Sequence, residues 1–225
     1  MPFAGRRGPV HVLTALFAVF FLSSSADAFA RSAHRAGVFD FYVLALSWSP
    51  TYCLTAGGEA DQRQCGDGAG HGFIVHGLWP QFESGYPEHC ATRLPGRVPT
   101  ELGRGLLDIV PSMGLIGHMW RKHGTCSGLS QAEYLKAVRD AFDSVAIPDA
   151  LDGTDDPERL SSGAIEDAFI AVNPGMARAG VAARCTSGRL QEVRICLTDT
   201  FEFRACREVD AAGCRAGSLA VPPPR

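Results

Sequence analysis

The chain has 225 residues and a formal net charge of −3, which excludes a protein whose whole surface attracts nucleic acid. A polyanionic ligand must therefore be drawn by a local cluster of positive charge. Beyond a short apolar run near the N-terminus, no stretch is apolar enough to span a bilayer. The sequence thus predicts no membrane association once that run is removed.

Residues 1–30 have the pattern of a secretory signal peptide. Two arginines precede an apolar run at residues 10–22, and small residues follow it. The small-x-small rule allows cleavage after Ala28 or after Ala30, of which we favour the second. Cleavage there would remove two positive charges and one negative charge, which changes the net charge from −3 to −4. Residues 31–225 then have a length typical of one domain with a single core.

The eight cysteines all lie within residues 31–225. An even number of cysteines in an exported chain predicts that all are paired in disulfides. Their spacing does not give the connectivity, although a bond between Cys196 and Cys206 is geometrically easy because these residues flank a predicted turn. A zinc site is the weaker interpretation, since no Cys-x-x-Cys pair is present.

Two strands are predicted in the first half of the chain. Residues 39–48 are almost uniformly apolar, as expected of a central strand buried on both faces. Residues 72–78 predict a second strand, which we expect Trp79 and Pro80 to end. His76 would then lie near a strand end, on a rigid support.

Helices are predicted after these strands. Leucine and valine recur every three or four residues over 100–110, which predicts a helix that Pro111 ends. Ser130 and Glu133 form a capping box that begins an amphipathic helix. A shorter helix is predicted at 164–172.

The C-terminal part predicts a hairpin followed by a loose tail. Residues 190–197 alternate apolar and polar side chains, and residues 201–206 can return beside them after a turn. Residues 220–225 are expected to form the tail. Strands mixed irregularly with helices indicate the α+β class, with a central antiparallel sheet packed by several helices.

Two short segments concentrate side chains that can carry chemistry. Residues 76–80 read His-Gly-Leu-Trp-Pro, and residues 118–126 read His-Met-Trp-Arg-Lys-His-Gly-Thr-Cys. A lone histidine is usually a hydrogen-bonded structural group. Three imidazoles and an ammonium beside two tryptophans, however, supply proton transfer, positive charge and stacking surfaces together. Because histidine titrates near neutral pH, the segments predict one active site with an acid–base couple.

Helical spacing sorts the second segment. Met119 lies next to His123, and His118 lies next to Lys122, because residues four apart share a helix face. His118 and His123 are five apart and are separated by roughly 140° around a helix. They do not form the one-face pair of a helical zinc site. A metal-dependent hydrolase is therefore the minor interpretation.

The two segments resemble the two active-site segments of the ribonuclease T2 family. The strand at 41–48, the cysteine that follows it and the arrangement of the last four cysteines are also similar to that family. The resemblance implies a ribonuclease T2-like catalytic domain over residues 31–225. It also implies the disulfides Cys53–Cys65, Cys90–Cys126, Cys185–Cys214 and Cys196–Cys206.

The activity that the resemblance implies is endonucleolytic cleavage of single-stranded RNA, without a metal or other cofactor. The phosphodiester passes to the ribose 2′-hydroxyl, giving a 2′,3′-cyclic phosphate and then a 3′-phosphate end, so DNA should survive. His123 would be the general base, His76 the general acid, and His118 would hold the phosphate. Lys122 would stabilise the transition state.

The resemblance also implies two pockets for bases. Trp79 and Tyr86 would form the aromatic walls of the first pocket. Gln81 stands where many members carry a carboxylate that helps choose the base. Pro111 and Ser112 would border the second pocket.

Met119 is the departure from the family, which normally has a glutamate immediately before the tryptophan. Losing such a group typically costs on the order of tenfold to a thousandfold in rate, so we expect a slow enzyme. We also expect the missing anion to lower the pKa of His123, and Met119→Glu to raise activity at least tenfold. The alternative is an impaired member that acts as an RNA-binding or protein-binding module. We expect a monomer in the periplasm or outside the cell, which fits the absence of Asn-x-Ser/Thr sites.

Overall fold

A computed structural model describes Met1 and residues 34–151 and 158–224. Ala33–Arg225 form a compact unit of their own. The predicted signal peptide lies outside the described residues, apart from Met1. Within the described ranges, no helix is long and apolar enough to cross a membrane.

The centre of the fold is a six-stranded sheet with the strand order β2-β1-β5-β6-β3, in which β4 also pairs with β5. Pairing between the described strands is antiparallel except for one parallel pair between β5 and β6. The predicted α+β class is confirmed, and the sheet is mixed at this one position. The strands are β1 Phe41–Trp48, β2 Phe73–Gln81, β3 Glu158–Leu160, β4 Val181–Thr186, β5 Arg189–Leu197 and β6 Leu219–Val221.

The uniform hydrophobicity of β1 follows from its place in the sheet. It lies between β2 and β5, and successive side chains point to opposite faces. Leu44 and Leu46 pack in the main core, whereas Phe41 and Val43 pack in a smaller cluster on the other face. The prediction of a central strand buried on both sides is confirmed.

Helices surround the sheet, and the longest begins at the predicted capping box. Ser130 Oγ accepts from Glu133 N, and the Glu133 carboxylate accepts from Ser130 N at 2.8 Å. Tyr134 and Val138 of this helix are fully buried. The helices are α1 Ser49–Ala56, α2 Gln62–Cys65, α3 Thr100–Gly103, α4 Met113–Lys122, α5 Gln131–Asp143, α6 Ser162–Val172 and α7 Arg207–Ala211.

The predicted helix at 100–110 is wrong. It is a short α3 followed by a 3₁₀ turn at Arg104–Leu106. Gly103 and Gly105 weaken helix propagation, and the carbonyl of Ile109 accepts a hydrogen bond from Val75 N of β2 at 2.8 Å. Glycines and this contact with β2 therefore replace the second half of the helix by turns.

The predicted end of β2 is also wrong, because the strand continues through Trp79 and Pro80 to Gln81. Proline lacks an N–H group and is tolerated where a strand lies at a sheet edge. Among the described strands, β2 pairs with β1 alone, so no further strand needs an N–H group from Pro80. His76 consequently lies within the strand rather than near its end.

Both C-terminal predictions need correction. The strand predicted at 201–206 is reduced to a single bridge between Leu197 and Phe203, because β4 and β1 already occupy the two sides of β5. The predicted loose tail at 220–225 contributes to β6, and Trp48 Nε1 donates to Pro222 O at 3.0 Å. Sheet pairing and this hydrogen bond hold Ala220, Val221 and Pro222 in place.

The four disulfides are confirmed, and they join the pairs that the resemblance implies. Cys53 and Cys65 are 12 residues apart and connect α1 with α2. The other pairs are Cys90–Cys126, Cys185–Cys214 and Cys196–Cys206, with separations of 36, 29 and 10 residues.

Candidate active site

His76 lies at a β-bulge in β2. Ala45 of β1 pairs with Gly77 and Leu46 pairs with Val75, which leaves His76 without a partner in β1. Bulges of this kind redirect a side chain and are frequent beside active sites. The His76 side chain remains 43% exposed, so it is fixed to the sheet yet open to a ligand.

Gly77 allows the first segment to fold tightly upon itself. A Cβ atom on this residue would overlap the indole nitrogen of Trp79. Any other residue at position 77 would therefore displace the indole of Trp79. The Trp79 ring meets His76 edge-on at 5.4 Å and stacks on His123 with centroids 5.0 Å apart.

Helix α4 presents the second segment. Ser112 caps its first turn by accepting from Gly114 N and Leu115 N. His118 is exposed and Lys122 half-buried on this helix, whereas His123 follows its last residue and is 6% exposed. The backbone N–H of His123 donates to Met119 O at 3.0 Å, which closes the helix and fixes the position of the histidine.

Two cavities meet at these histidines. The smaller cavity has a volume of about 270 Å³, and His123 and Lys122 lie in its wall. The larger cavity has a volume of about 580 Å³. His76 and His118 line both cavities. The arrangement offers two adjacent spaces on either side of one reacting group.

The residues predicted to contact the substrate are divided between the two cavities. Trp79, Gln81 and Tyr86 line the smaller cavity, and Ser112 lines the larger. Pro111 is buried and belongs to the wall of neither. The structure thus brings all the predicted pocket residues except Pro111 to the histidine cluster.

Met119 and Trp120 point away from the cluster. Both are fully buried in the main hydrophobic core, and neither lines either cavity. Trp120 Nε1 donates to Pro95 O at 2.9 Å, so this tryptophan is a core residue. The Met119 side chain is therefore packed in the core and faces neither cavity.

His123 is held in its neutral form. Burial lowers its pKa to about 3, and the positive charges of Lys122, His76, His118 and His89 act in the same direction. Burial also lowers the pKa of His118, again with Lys122 and His76 contributing. The sequence predicted a low pKa for His123 from the missing anion at position 119, but burial is the largest cause of the low pKa. A neutral imidazole is able to accept a proton at neutral pH.

His76 has a carboxylate partner that the two segments do not contain. Its Nδ1 lies 2.6 Å from Glu192 Oε2 on β5. Arg194 Nε donates to the other oxygen, Oε1, at 2.7 Å. Burial alone would raise the pKa of Glu192, but the hydrogen bond and charge of His76, with those of Arg194, lower it.

Sequence reasoning missed several residues of this site, namely Glu192, Arg194, Glu88 and His89. Glu88 Oε2 lies 3.4 Å from Lys122 Nζ, and the Arg194 guanidinium carbon lies 4.9 Å from the centroid of the Trp79 ring. Glu192 is 116 residues from His76, and a charged residue in an alternating strand carries no local signal of function. For His89, the signal was its place beside Cys90 in the loop that a disulfide ties to the second segment.

The donor set around the histidines does not form a metal site. In the part of the chain that the structure describes, no group of three or more histidine, cysteine, aspartate or glutamate side chains is arranged to hold a metal ion. The Nδ1 atom of His76 is instead hydrogen-bonded to the carboxylate of Glu192.

The fold and the paired histidine segments define a disulfide-linked α+β protein with a histidine-lined cavity. A sequence profile of the ribonuclease T2 family matches residues 39–206. The chain belongs to the ribonuclease T2 family.

Known proteins are similar to this chain in sequence or in fold. A ribonuclease of Aeromonas hydrophila is 42% identical over 106 residues, which are 47% of this chain and 46% of that protein. The match therefore spans about half the length of this curated relative. An RNase-related protein from Calystegia sepium has a similar structure, with a TM-score of 0.66 and 20% identity over 83% of this chain and 98% of its own. RNase NT in complex with 5′-AMP has a TM-score of 0.60 and 23% identity over 84% of this chain and 100% of its own.

Proposed function

We propose that the protein is a metal-independent endoribonuclease that cleaves single-stranded RNA. The observation that carries this proposal is that His76, His118, Lys122 and His123 line one cavity, although they come from two segments. Such a set supplies a proton acceptor, a proton donor and positive charge around a phosphate-sized space.

In the proposed first step, neutral His123 removes the proton of the ribose 2′-hydroxyl, whose oxygen attacks the phosphorus. The bond from phosphorus to the 5′-oxygen breaks, and His76 gives that oxygen its proton. The products are a 2′,3′-cyclic phosphate and a free 5′-hydroxyl. Water then opens the cyclic phosphate to a 3′-phosphate, with the two histidines in exchanged roles.

Positive charge would stabilise the transition state of both steps. His118 and Lys122 lie on one face of α4 and line the cavity that holds the histidine couple. Lys122 already has an anionic neighbour in Glu88 at 3.4 Å, which favours a position of the ammonium beside the cavity before a phosphate arrives. A preorganised cation of this kind costs little rearrangement when charge develops.

The two cavities are suited to bases on either side of the cut. We assign the base on the 5′ side to the smaller cavity, with Trp79 and Tyr86 as aromatic surfaces and Gln81 as the polar contact. Ser112 would contact the next base in the larger cavity. The complex of RNase NT with 5′-AMP supports a nucleotide ligand for this fold.

We further propose that the protein acts as an exported monomer in the periplasm or outside the cell, without a cofactor. Four disulfides support an oxidising compartment, because thiols in the cytosol are kept reduced.

The test is digestion of a labelled RNA oligonucleotide by the oxidised chain without its predicted signal peptide, residues 31–225, with a chelator present. We expect fragments ending in 2′,3′-cyclic phosphate. A matched oligonucleotide with a single 2′-deoxyribose at the cleaved position should stay intact at that bond. His76→Ala and His123→Ala should each lose on the order of 100-fold or more in activity. Intact RNA after long incubation at several pH values, or activity that the chelator abolishes, would contradict the proposal.

The second candidate is a catalytically impaired member that binds RNA or a protein. Met119 favours it, because this uncharged side chain lies in the core and the site lacks the carboxylate that the resemblance implies. In that case the wild-type chain and its His123→Ala variant would bind the labelled RNA equally well, and neither would cleave it.

A further inference from the structure

We propose that Glu192 is a positioning residue for His76, which fixes the ring of the general acid and the nitrogen that carries its transferable proton. This inference rests on the proposed ribonuclease function. The two segments of the family resemblance do not include Glu192, which lies on β5.

The short contact between the two side chains is the first argument. Glu192 Oε2 lies 2.6 Å from His76 Nδ1, within the range of a charge-assisted hydrogen bond. An ionised carboxylate only accepts hydrogen bonds, so Nδ1 must carry the hydrogen. The other ring nitrogen, Nε2, is then the atom left for proton transfer.

The carboxylate itself is held firmly, which is the second argument. Its side chain is 6% exposed, and its second oxygen accepts from Arg194 Nε at 2.7 Å. With both oxygens bonded, the carboxylate has little freedom to rotate away from His76. A buried acceptor with this geometry fixes the orientation of an imidazole better than water does.

The sheet explains how residues so distant in sequence meet. Strand β1 separates β2 from β5, and Glu192 lies opposite Ser47 of β1. The bulge places His76 between the partners of Ala45 and Leu46. Ala45 and Ser47 have small side chains, which leaves room for His76 and Glu192 to meet above β1. Neighbouring strands are about 4.8 Å apart, so β2 and β5 are separated by about 10 Å, a gap that the side chains of His76 and Glu192 close together.

Arg194 extends the arrangement to the other histidine. Its guanidinium carbon lies 4.9 Å from the centroid of the Trp79 ring, and Trp79 stacks on His123. Glu192 therefore lies at the start of a series of contacts that reaches both members of the proposed acid–base couple. The alternative is that Glu192 is only the buried partner of Arg194 and serves folding.

A leaving-group experiment distinguishes the two roles. A dinucleoside phosphate needs a proton on its departing 5′-oxygen, whereas the 4-nitrophenyl ester of the same nucleoside 3′-phosphate releases a stable anion without one. We expect Glu192→Gln to lower kcat/KM for the dinucleoside phosphate on the order of 10- to 100-fold, part of what acid catalysis contributes. For the aryl ester, we expect a loss of less than about threefold, since that reaction does not need the acid.

The matched control is Glu166→Gln. Glu166 is also a buried carboxylate paired with an arginine, Arg178, at 3.1 Å, but it lines neither cavity. The Glu166→Gln variant should be less stable, but the ratio of its activity on the dinucleoside phosphate to its activity on the aryl ester should be unchanged. Combining His76→Ala with Glu192→Gln should give no loss beyond that of His76→Ala, because both changes remove the same function. Equal losses on both substrates, or none on either, would overturn the positioning role.

A second measurement does not depend on turnover or on any variant folding. In ¹H–¹⁵N spectra of the wild-type histidines, Nδ1 of His76 should carry a proton at pH 7, as its carboxylate partner requires. An unprotonated Nδ1 would overturn the proposal even if the chain cleaves RNA. A protonated Nδ1 in a chain that cleaves no RNA would support the pairing and contradict the proposed function instead.

Discussion

The imidazole of His123 stacks on the indole of Trp79, with centroids 5.0 Å apart and 22° between the ring planes. This contact joins the two histidine segments, which lie on β2 and at the end of α4. It also covers the His123 ring, which is 6% exposed. Trp79 therefore helps to keep water away from the residue that we propose as the base.

The first prediction concerns the glycine beneath this stack. In Gly77→Ala, the new Cβ would overlap the indole nitrogen of Trp79, so the indole must move and the His123 ring loses its stacked neighbour. A displacement of about 1 Å at a reacting group can cost on the order of 100-fold. We expect a loss of kcat/KM on RNA of roughly this size, together with a change in tryptophan fluorescence.

Gly105→Ala is the control for this change, because nothing lies within 4 Å of a Cβ at that position. It should keep wild-type activity. Full activity in folded Gly77→Ala would mean that the Trp79–His123 stack is dispensable.

The second prediction follows from the pKa of His123, which burial lowers from 6.5 to about 3. Between these pH values the unfolded chain binds a proton that the folded chain does not, so stability rises with pH and is lost as pH falls. Between pH 6.5 and pH 4, the free energy of unfolding of His123→Gln should therefore fall by about 3 kcal/mol less than that of the wild type. Thermal unfolding of His123→Gln and wild type over this range measures the difference.

His71→Gln, a change outside the histidine cluster, is the control for loss of any histidine. If His123→Gln and wild type lose the same stability on acidification, His123 is not held neutral by burial.

The predictable parts of the fold are those in which a local pattern decides the structure. The uniformly apolar side chains of β1 mark a strand buried on both faces, and the capping box at Ser130 contains its own hydrogen bonds. Both predictions were correct. Strand β6 contains only Leu219–Val221, and its place depends on β3 and β5, which are distant in sequence. No local pattern signals such a short strand, so it was predicted to be a tail.

The site divides in the same way. The histidines lie in two compact segments whose composition is unusual, so they could be found without the structure. Glu192 is one polar residue in an alternating strand, and its contact with His76 depends on strand register across β1. Sequence also placed Met119 beside His123 on a helix face, but packing of α4 decides that its side chain enters the core.

The third prediction concerns the disulfide between Cys90 and Cys126. It holds the loop with His89 against the end of α4, where His89 N donates to Lys122 O at 2.8 Å. The double variant Cys90→Ser with Cys126→Ser should lose about 4 kcal/mol by the loop-entropy model. Because that loop supports Lys122, we expect kcat/KM on RNA to fall at least tenfold at a temperature where the variant is folded.

The control is the double variant Cys53→Ser with Cys65→Ser, which opens a shorter loop of 12 residues and should lose about 3 kcal/mol. Its activity when folded should stay within about threefold of wild type, since neither cysteine lines a cavity and no residue of α1 or α2 lines the smaller cavity, which holds the histidine couple. Equal losses of activity in both double variants would show that only overall stability matters.

The fourth prediction concerns Met119→Glu. Met119 is fully buried in the main core, so the new carboxylate either stays uncharged or turns toward the histidine cavity. An unpaired buried charge typically costs about 3 kcal/mol or more, which is roughly a 10 °C loss in Tm for a chain of this size. We expect this loss, measured by thermal unfolding at pH 7. Met119→Leu, which conserves volume, should lose less than about 1.5 kcal/mol.

Activity of the same variant then shows where the carboxylate goes. The tenfold gain expected from the family resemblance requires that the introduced carboxylate leave the core and approach His123, where an anion favours the protonated base. A gain of that size in a destabilised Met119→Glu would mean that the side chain at position 119 can leave the core and reach the histidine cavity. Lower stability with no gain would mean that packing of α4 keeps position 119 away from the reaction. An unchanged Tm at pH 7 would contradict the burial argument itself, because a core that accepts glutamate without cost has room or a partner for its charge.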